Sequence, residues 1–461
     1  MLFALYFAKI CYFLRFCYNP FIIFKEIIIK AFETLQLSPE IIKALQEEGY
    51  ETPTDIQKKA IPIALKRKDV LGVAQSGTGK TAAFVLPILQ NLALDKKEST
   101  TTTLRALIIV PTRELAAQVA KNTSFYARYL DITQGVAFGG VSAKEQASKI
   151  QKGVDILIAT PGRLLELCEN KSIDLKSVNT LVLDEADTML DMGFLQDIEK
   201  VLPQISPNRQ TMMFSATLNQ NIKKLAKEFL NEPVVIEVSS QRSSVDIIEQ
   251  QIIKVDDEKK LALLSFLIGS KNLQKVLVFT NTKANVDLIT ETLNLDGLSA
   301  LGIHGDIKQP ARARALRKFK ANEIRVLVAT DIAARGIDIE ELPHVINYDL
   351  PQSTSDYTHR IGRTGRAGNA GVAITLLCVK EYKTMAEIEK ELIINIPKIT
   401  LEGFELSERE PRARKVVNTK LSVKKGLKDK KPRPRTAPTA TKPKKSKKTT
   451  KRDANRKFGK R

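Results

Sequence analysis

The segment Ala74-Gln75-Ser76-Gly77-Thr78-Gly79-Lys80-Thr81 sets glycines, a lysine and a hydroxyl in the order that a phosphate cradle needs. Gly77 and Gly79 let backbone N–H groups converge on phosphate oxygens at a helix N-terminus, Lys80 reaches the terminal phosphates, and Thr81 reaches the accompanying magnesium ion. Ala74 stands where the common pattern has its first glycine, which leaves the turn itself intact. Lying 104 positions beyond Lys80, the tetrad Asp184-Glu185-Ala186-Asp187 follows the apolar run Leu181-Val182-Leu183. One such acid can hold a metal while its neighbour orients water, so Asp184 is the candidate for magnesium and Glu185 for the attacking water. Asp187 reads as a link to Ser215 and Thr217. Together the segments read as an ATP-hydrolysing engine. Alone, the loop could be a plain strand-to-helix connection and the acids a solvated face or a helix N-cap. Each makes the other's bland reading harder to sustain, and the apolar strand before the acids places them at the carboxyl edge of a parallel sheet.

The elements that must position these groups alternate β-rich runs with helical patterns. Val70–Ala74, Ala106–Val110, Ile156–Ala159, Leu181–Leu183 and Thr211–Phe214 form one series, and Val276–Phe279, Val326–Ala329, Val345–Asn347 and Val372–Leu376 a second. This βαβ punctuation predicts α/β architecture with parallel sheets. At 461 residues the chain exceeds what one core usually supports. The expected organisation is an apolar leader over 1–29, a first domain over 30–238, a linker over 239–246, a second domain over 247–407 and a basic tail over 408–461. No tandem repeat stands out.

Of the net charge of +21, +20 lies in residues 411–461, which hold 22 Lys and Arg against two Asp. The rest of the chain is nearly neutral and must bind any polyanion through placed groups rather than bulk charge. The tail's Lys, Pro, Thr and Ala bias cannot build a core, so it should stay disordered, as a weak polyanion anchor or a solubilising extension. Four cysteines form no CxxC pair, which fits a reducing cytosol without structural zinc. In the leader, Lys9, Arg15, Lys25 and Glu26 interrupt the apolar residues, so no span of membrane length forms. It reads as a start-site artefact or unstructured extension, a peripheral anchor or a packed helix.

In kind, order and spacing these motifs resemble the DEAD-box family of ATP-dependent RNA helicases, from about Phe32 to Pro397, and look most similar to the bacterial RhlE-like subgroup. The resemblance implies two RecA-like parallel-sheet domains in tandem, with ATP and Mg2+ as cofactors. It implies that Phe32, Gly49, Tyr50, Pro53, Thr54 and Gln57 form an adenine-reading segment, and the amide of Gln57 offers the donor and acceptor that adenine's edge requires. Alone, Gln57 would pass for a surface residue. ATP binding would then fall to Phe32, Gln57, Ala74, Gln75, Ser76, Gly77, Thr78, Gly79, Lys80 and Thr81, with Asp338 on the ribose.

The resemblance further assigns RNA-backbone contacts to Pro111, Thr112, Arg113, Gly139, Gly140, Thr160, Pro161, Gly162 and Arg163 of the first domain and to Gln309, Arg312 and Thr330 of the second. Hydroxyls, exposed N–H groups and Arg suit phosphate and sugar, although Gly-Gly and Pro-Gly are turn formers in any context. Ser215-Ala216-Thr217 would couple hydrolysis to strand separation together with Asp187. Arg363 and Arg366 of His359-Arg360-Ile361-Gly362-Arg363-Thr364-Gly365-Arg366 resemble arginine fingers, the other reading being a basic RNA-binding loop. Asp331 and His359 would act across the domain interface, while His304 and His344 read as structural. Thr188 departs from the family, where many members carry Arg. A cytoplasmic monomer acting on single-stranded RNA and short duplexes without sequence preference follows, with ribosomal or RNA-decay proteins as compatible partners. An ATP-gated RNA clamp with little unwinding uses the same motifs. A DNA helicase is disfavoured by the tetrad together with Gln57.

Overall fold

The computed structural model describes residues 32–75, 77–95, 103–238, 248–335, 339, 342–365 and 371–407. The expected leader, linker and disordered tail lie outside these residues, as do Ser76, Asp338 and Arg366.

β1 (Val70–Val73), β2 (Ala106–Ile109), β3 (Gln134–Ala137), β4 (Ile156–Ala159), β5 (Thr180–Leu183), β6 (Gln210–Ser215) and β7 (Val234–Glu237) form one parallel sheet in the order β3-β4-β2-β5-β6-β1-β7. The strands β1, β2, β4, β5 and β6 are buried along their whole length, as near-continuous apolar runs require when helices cover both faces. Alternate residues feed two layers. Val70, Ile108, Val182 and Phe214 pack under the helices Pro39–Glu47, Asp55–Leu65, Lys80–Leu94 and Arg113–Tyr126. Leu71, Leu107, Leu181 and Met213 pack on the opposite face against Leu164 and Leu167 of the helix Pro161–Glu169 and Ile222 of the helix Gln220–Phe229. Gly72 in mid-β1 makes room for the Phe214 ring, since a Cβ there would lie 2.6 Å from two of its carbons.

β8 (Ile248–Lys254), β9 (Val276–Phe279), β10 (Ala300–Ile303), β11 (Val326–Ala329), β12 (His344–Asn347), β13 (Gly371–Leu377) and β14 (Lys398–Ile399) build a second parallel sheet, ordered β10-β11-β9-β12-β13-β8-β14. Counted from its own first strand, each sheet runs third, fourth, second, fifth, sixth, first, seventh. The chain therefore repeats one strand order although its sequence shows no tandem repeat: the topology is duplicated, and side-chain identities are not.

Every central strand expected from the sequence is present. Of the strands outside that expectation, β3, β7, β10 and β14 are sheet edges, where one flank is unpaired and an unbroken apolar run is not needed, while β8 lies one strand in, between β13 and the two-residue β14. In the first sheet the carboxyl ends of β1, β5 and β6 are neighbours or one strand apart, which brings Lys80, Asp184 and Ser215 to one edge.

Candidate functional site

The β1 loop turns into its helix through Gly77 at φ +80° and Gly79 at φ +89°, the left-handed backbone that glycine adopts without strain. Gly79 is also hemmed in by a neighbour: a Cβ there would meet Gln57 Nε2 at 2.4 Å. Gln57 is buried, donates from Nε2 to the Gly79 carbonyl at 3.1 Å and accepts from the Thr54 N–H at 3.0 Å. The second contact belongs to a capping box that starts the helix Asp55–Leu65. One amide N–H and one carbonyl lone pair of Gln57 stay available, which is what an adenine edge would use. We expect Gly79→Ala to weaken binding of a fluorescent ATP analogue by about tenfold or more, because strain and clash both fall on the loop. Unchanged affinity would show that the loop does not cradle the nucleotide.

Phe32, placed by resemblance in the same segment, is buried in the apolar layer with Tyr50 packed against that layer. The Tyr50 and Tyr126 hydroxyls are 2.7 Å apart. Ala74 continues β1 by donating to the Ser215 carbonyl at 3.0 Å, so the loop's first position does strand work and has no need of glycine. Thr78 Oγ1 closes the turn by donating to the Gln75 carbonyl at 2.7 Å.

Lys80 is 7% exposed, and its Nζ is buried without a hydrogen-bond partner among the described residues. A buried ammonium in that state is costly, and the nearby acids are its electrostatic counterweight. Asp184 is 3% exposed, and burial pushes its carboxyl up to about 7 against the opposing charge of Lys80. Glu185 is raised too, by burial first, with Lys80 and then Arg363 pulling it back. Glu185 also holds a left-handed backbone at φ 51° as the N-cap of the short helix Ala186–Asp191, a conformation that costs a non-glycine residue energy. An orphaned buried cation, the buried Asp184 with the half-buried Glu185 beside it, and a glycine turn leading into a helix N-terminus fit a triphosphate with a divalent metal, and Thr81 opens the helix beside Lys80.

Asp187 turns away from the phosphate side. Its Oδ2 accepts from the N–H groups of Ala216 and Thr217 at 3.0 and 3.1 Å and from Thr217 Oγ1 at 3.3 Å, while its Oδ1 accepts from the buried Thr188 N–H at 3.1 Å. Ser215 Oγ donates to the Thr217 carbonyl at 2.9 Å. The acidic tetrad is therefore tied to the loop after β6 through backbone N–H groups, with Ser215 bracing the loop from inside.

The two sheet-bearing lobes face each other across this region. A cleft of about 320 Å³ lies between Gln75 and Thr217 on one side and Thr358, His359 and Arg363 on the other. Arg335 spans the lobes, pairing with Asp191 at 3.1 Å and with Asp356 of its own lobe. Burial pushes the His359 imidazole down to about 4, with Arg335 and Arg363 nearby and Asp187 opposing them, so it is a neutral hydrogen-bonding group here. Asp331, expected to act across the interface, is instead held within its own lobe by Arg360, at 2.5 and 2.6 Å.

Along the groove side, Thr112 caps the helix Arg113–Tyr126 by accepting from the Leu115 N–H at 3.2 Å. The Arg113 guanidinium lies against Gly139 and Gly140, so closely that a Cβ on Gly140 would fall 2.0 Å from its Nη1. Thr160, Pro161 and Gly162 open the next helix with Pro161 in its first turn, where a missing N–H costs nothing. Two arginines assigned to RNA by resemblance are engaged within the protein. Arg163 donates to Glu166 at 2.9 Å, to the Val141 carbonyl at 2.9 Å and to Gln146, bracing the Gly139–Gly140 loop. Arg312 pairs with Glu114 of the other lobe at 3.0 Å and donates to the Ala333 carbonyl. Gln309 has a buried carbonyl oxygen without a partner among the described residues, and Thr330 is buried at the start of the Asp331–Ala334 turn.

Sequence reasoning gave no role to Asp191, Arg335 and Asp356, which together with Glu114 and Arg312 supply the ion pairs just described. Nothing in the sequence pairs Arg335 with Asp191, 144 positions away.

Comparison with known proteins gives a consistent result. Residues 54–225 match the DEAD/DEAH box helicase family, and residues 258–368 match the helicase conserved C-terminal domain. The DEAD-box ATP-dependent RNA helicase CshA of Geobacillus kaustophilus is 42% identical over 359 residues, covering 78% of this chain and 76% of the relative. CshA of Bacillus subtilis is 42% identical over the same length, covering 78% and 72%. These relatives lend no support to the RhlE-like subgroup. Among solved structures, S. cerevisiae Dbp5 bound to RNA and ADP BeF3 is similar with a TM-score of 0.71 at 29% identity, covering 80% of this chain and 96% of the other. Mss116p bound to ssRNA and AMP-PNP gives 0.72 at 28% identity, covering 81% and 80%.

Proposed function

The chain belongs to the DEAD/DEAH box helicase family and is an ATP-dependent RNA helicase, and we propose that it remodels short RNA duplexes by closing its two lobes on ATP and a single RNA strand together. The observation that supports this mechanism is that Arg363 of the second lobe lines one cleft with Gln75 and Thr217 of the first, near enough for its charge to bear on Glu185. Lys80 binds the terminal phosphates with Gly77 and Gly79, and the remaining amide positions of Gln57 take the adenine edge. Magnesium, held by Thr81 and Asp184, would neutralise phosphate charge. Glu185 positions the attacking water and accepts its proton, and Arg363 offsets charge developing on the transferred phosphoryl group. Arg366 and Asp338 are proposed for the second finger and the ribose contact by the family's pattern alone.

RNA binds along Thr112, Arg113, Gly139, Gly140 and the N-terminus of the helix Pro161–Glu169 in the first lobe and along Gln309 and Thr330 in the second. These groups offer hydroxyls, backbone N–H and guanidinium, which grip sugar and phosphate without reading sequence. Arg163 and Arg312 serve this groove by bracing it, given their bonds within the protein. Because ATP and RNA both favour the closed arrangement, each raises the affinity of the other. Asp187, tied to Ala216 and Thr217, relays the state of the phosphate side to the groove. A cytoplasmic monomer is the setting we propose; among the described residues no helix is long and apolar enough to cross a membrane.

The test is steady-state ATP hydrolysis without nucleic acid, with single-stranded RNA and with the matching DNA. Stimulation by RNA alone supports the mechanism, whereas equal stimulation by DNA removes RNA selectivity from it. The basic tail supplies a second RNA anchor by releasing counterions. Deleting residues 411–461 should flatten the dependence of log affinity on log salt, and an unchanged slope would rule that anchor out.

A further inference from the structure

Arg360 is among the largest fully buried side chains of the described residues, at 1% exposure. An arginine there must satisfy every donor of its guanidinium inside the protein. Its Nε and Nη2 clamp the Asp331 carboxylate at 2.5 and 2.6 Å, Nη2 also reaches Asn281 Oδ1 at 2.8 Å, and Nη1 donates to the Asp349 carbonyl at 2.6 Å. The guanidinium carbon sits 5.2 Å from the centre of the Phe279 ring. Three separate loops at the carboxyl edge of the second sheet, after β9, β11 and β12, thus converge on one side chain.

That side chain is carried by the helix Thr354–Ile361, which ends at Gly362 immediately before Arg363. On the far side of Arg363 the backbone is pinned again, because its carbonyl accepts from the Leu342 N–H at 3.0 Å and Thr364 Oγ1 donates to the Leu342 carbonyl. The partner that Arg360 clamps, Asp331, directly follows Thr330 of the groove and opens the turn whose Ala333 carbonyl receives Arg312. The groove turn is thus bonded directly to Arg360, which lies three positions before Arg363 on the same helix and its following turn.

We infer that Arg360 is a positioning residue that makes the groove turn Thr330–Ala334 and the Arg363 segment move as one body, so that RNA in the groove sets the finger on the phosphate side. This rests on the helicase mechanism above and goes beyond it by naming the link. A bidentate guanidinium–carboxylate clamp suits the task, since its planar fork fixes angle as well as distance. A lysine supplies the charge without the fork.

The experiment compares wild type, Arg360→Lys and Asn281→Ala in the full chain. Three quantities are read: turnover with saturating single-stranded RNA, turnover without RNA, and affinity for a fluorescent ATP analogue without RNA. Arg360→Lys should lower the ratio of RNA-stimulated to RNA-free turnover by about tenfold or more, the size expected when a charge-assisted hydrogen bond is lost. Nucleotide affinity should hold within about twofold, because the phosphate loop is in the other lobe. Asn281→Ala, at an exposed position that removes one acceptor of Arg360, should lower the ratio by a few fold at unchanged thermal midpoint. If Arg360→Lys does not fold, Asn281→Ala decides. A ratio within twofold of wild type in the folded variants, or equal losses with and without RNA, would overturn the inference. Absence of RNA stimulation in wild type would instead bring down the helicase mechanism, and the inference with it.

Discussion

Glu185→Gln lowers RNA-stimulated ATP turnover by about 10²- to 10⁴-fold, the range that a positioned general base contributes, and leaves nucleotide affinity close to wild type. The amide matches the carboxylate in size, so the left-handed cap at φ 51° and the start of the helix Ala186–Asp191 are kept. What disappears is the group able to take a proton from water. Lys80, Gly77, Gly79 and Gln57, which bind the nucleotide, are untouched. Glu185 and Asp187 both push the Asp184 carboxyl upward, so removing one negative charge from this buried cluster relieves repulsion, and the thermal midpoint should hold or rise. Phosphate release under saturating RNA, a titration with a fluorescent ATP analogue and a thermal melt measure the three parts. Turnover within tenfold of wild type would mean that another group activates the water.

The site's chemistry was legible where the fold demands a residue type that alternatives cannot supply. Gly79 must be glycine for φ and for Gln57 together, and Lys80 and the tetrad follow strands whose apolar runs announce burial. Thr54 and Gln57 also spell a capping box, a local signal that the adenine reading overshadowed. What the sequence could not separate is an arginine that meets a ligand from one that holds the protein. Arg113, Arg163, Arg312, Arg335, Arg360 and Arg363 all sit in motif-like runs, yet Arg163 braces a loop, Arg312 and Arg335 join the lobes, and Arg360 is buried. These fates depend on Glu114, Asp191, Gln146 and Asp331, whose positions in space come from sheet order and not from spacing. The duplicated topology was hidden for a related reason: β3, β7, β10 and β14 lie at edges, where one solvated flank permits polar residues, and a strand such as Gln134–Ala137 leaves no apolar run to find.

Arg363→Ala separates the two halves of the mechanism that Glu185→Gln cannot. Removing a finger that stabilises phosphoryl-transfer charge costs about 10³-fold or more in turnover, similar to the Glu185 variant by that readout alone. The difference lies in closure. Arg363 belongs to the second lobe and its charge acts on Glu185 of the first, so its loss removes an attraction between the lobes. RNA affinity measured with a non-hydrolysable ATP analogue should therefore fall in Arg363→Ala and persist in Glu185→Gln, while nucleotide affinity without RNA stays unchanged in both. Arg363→Lys should not restore turnover, because an ammonium lacks the planar fork that meets two oxygens at once. If RNA affinity with the analogue is the same in all variants, Arg363 acts on chemistry after closure and the lobes are drawn together by other pairs, of which Arg335–Asp191 and Arg312–Glu114 already cross between them.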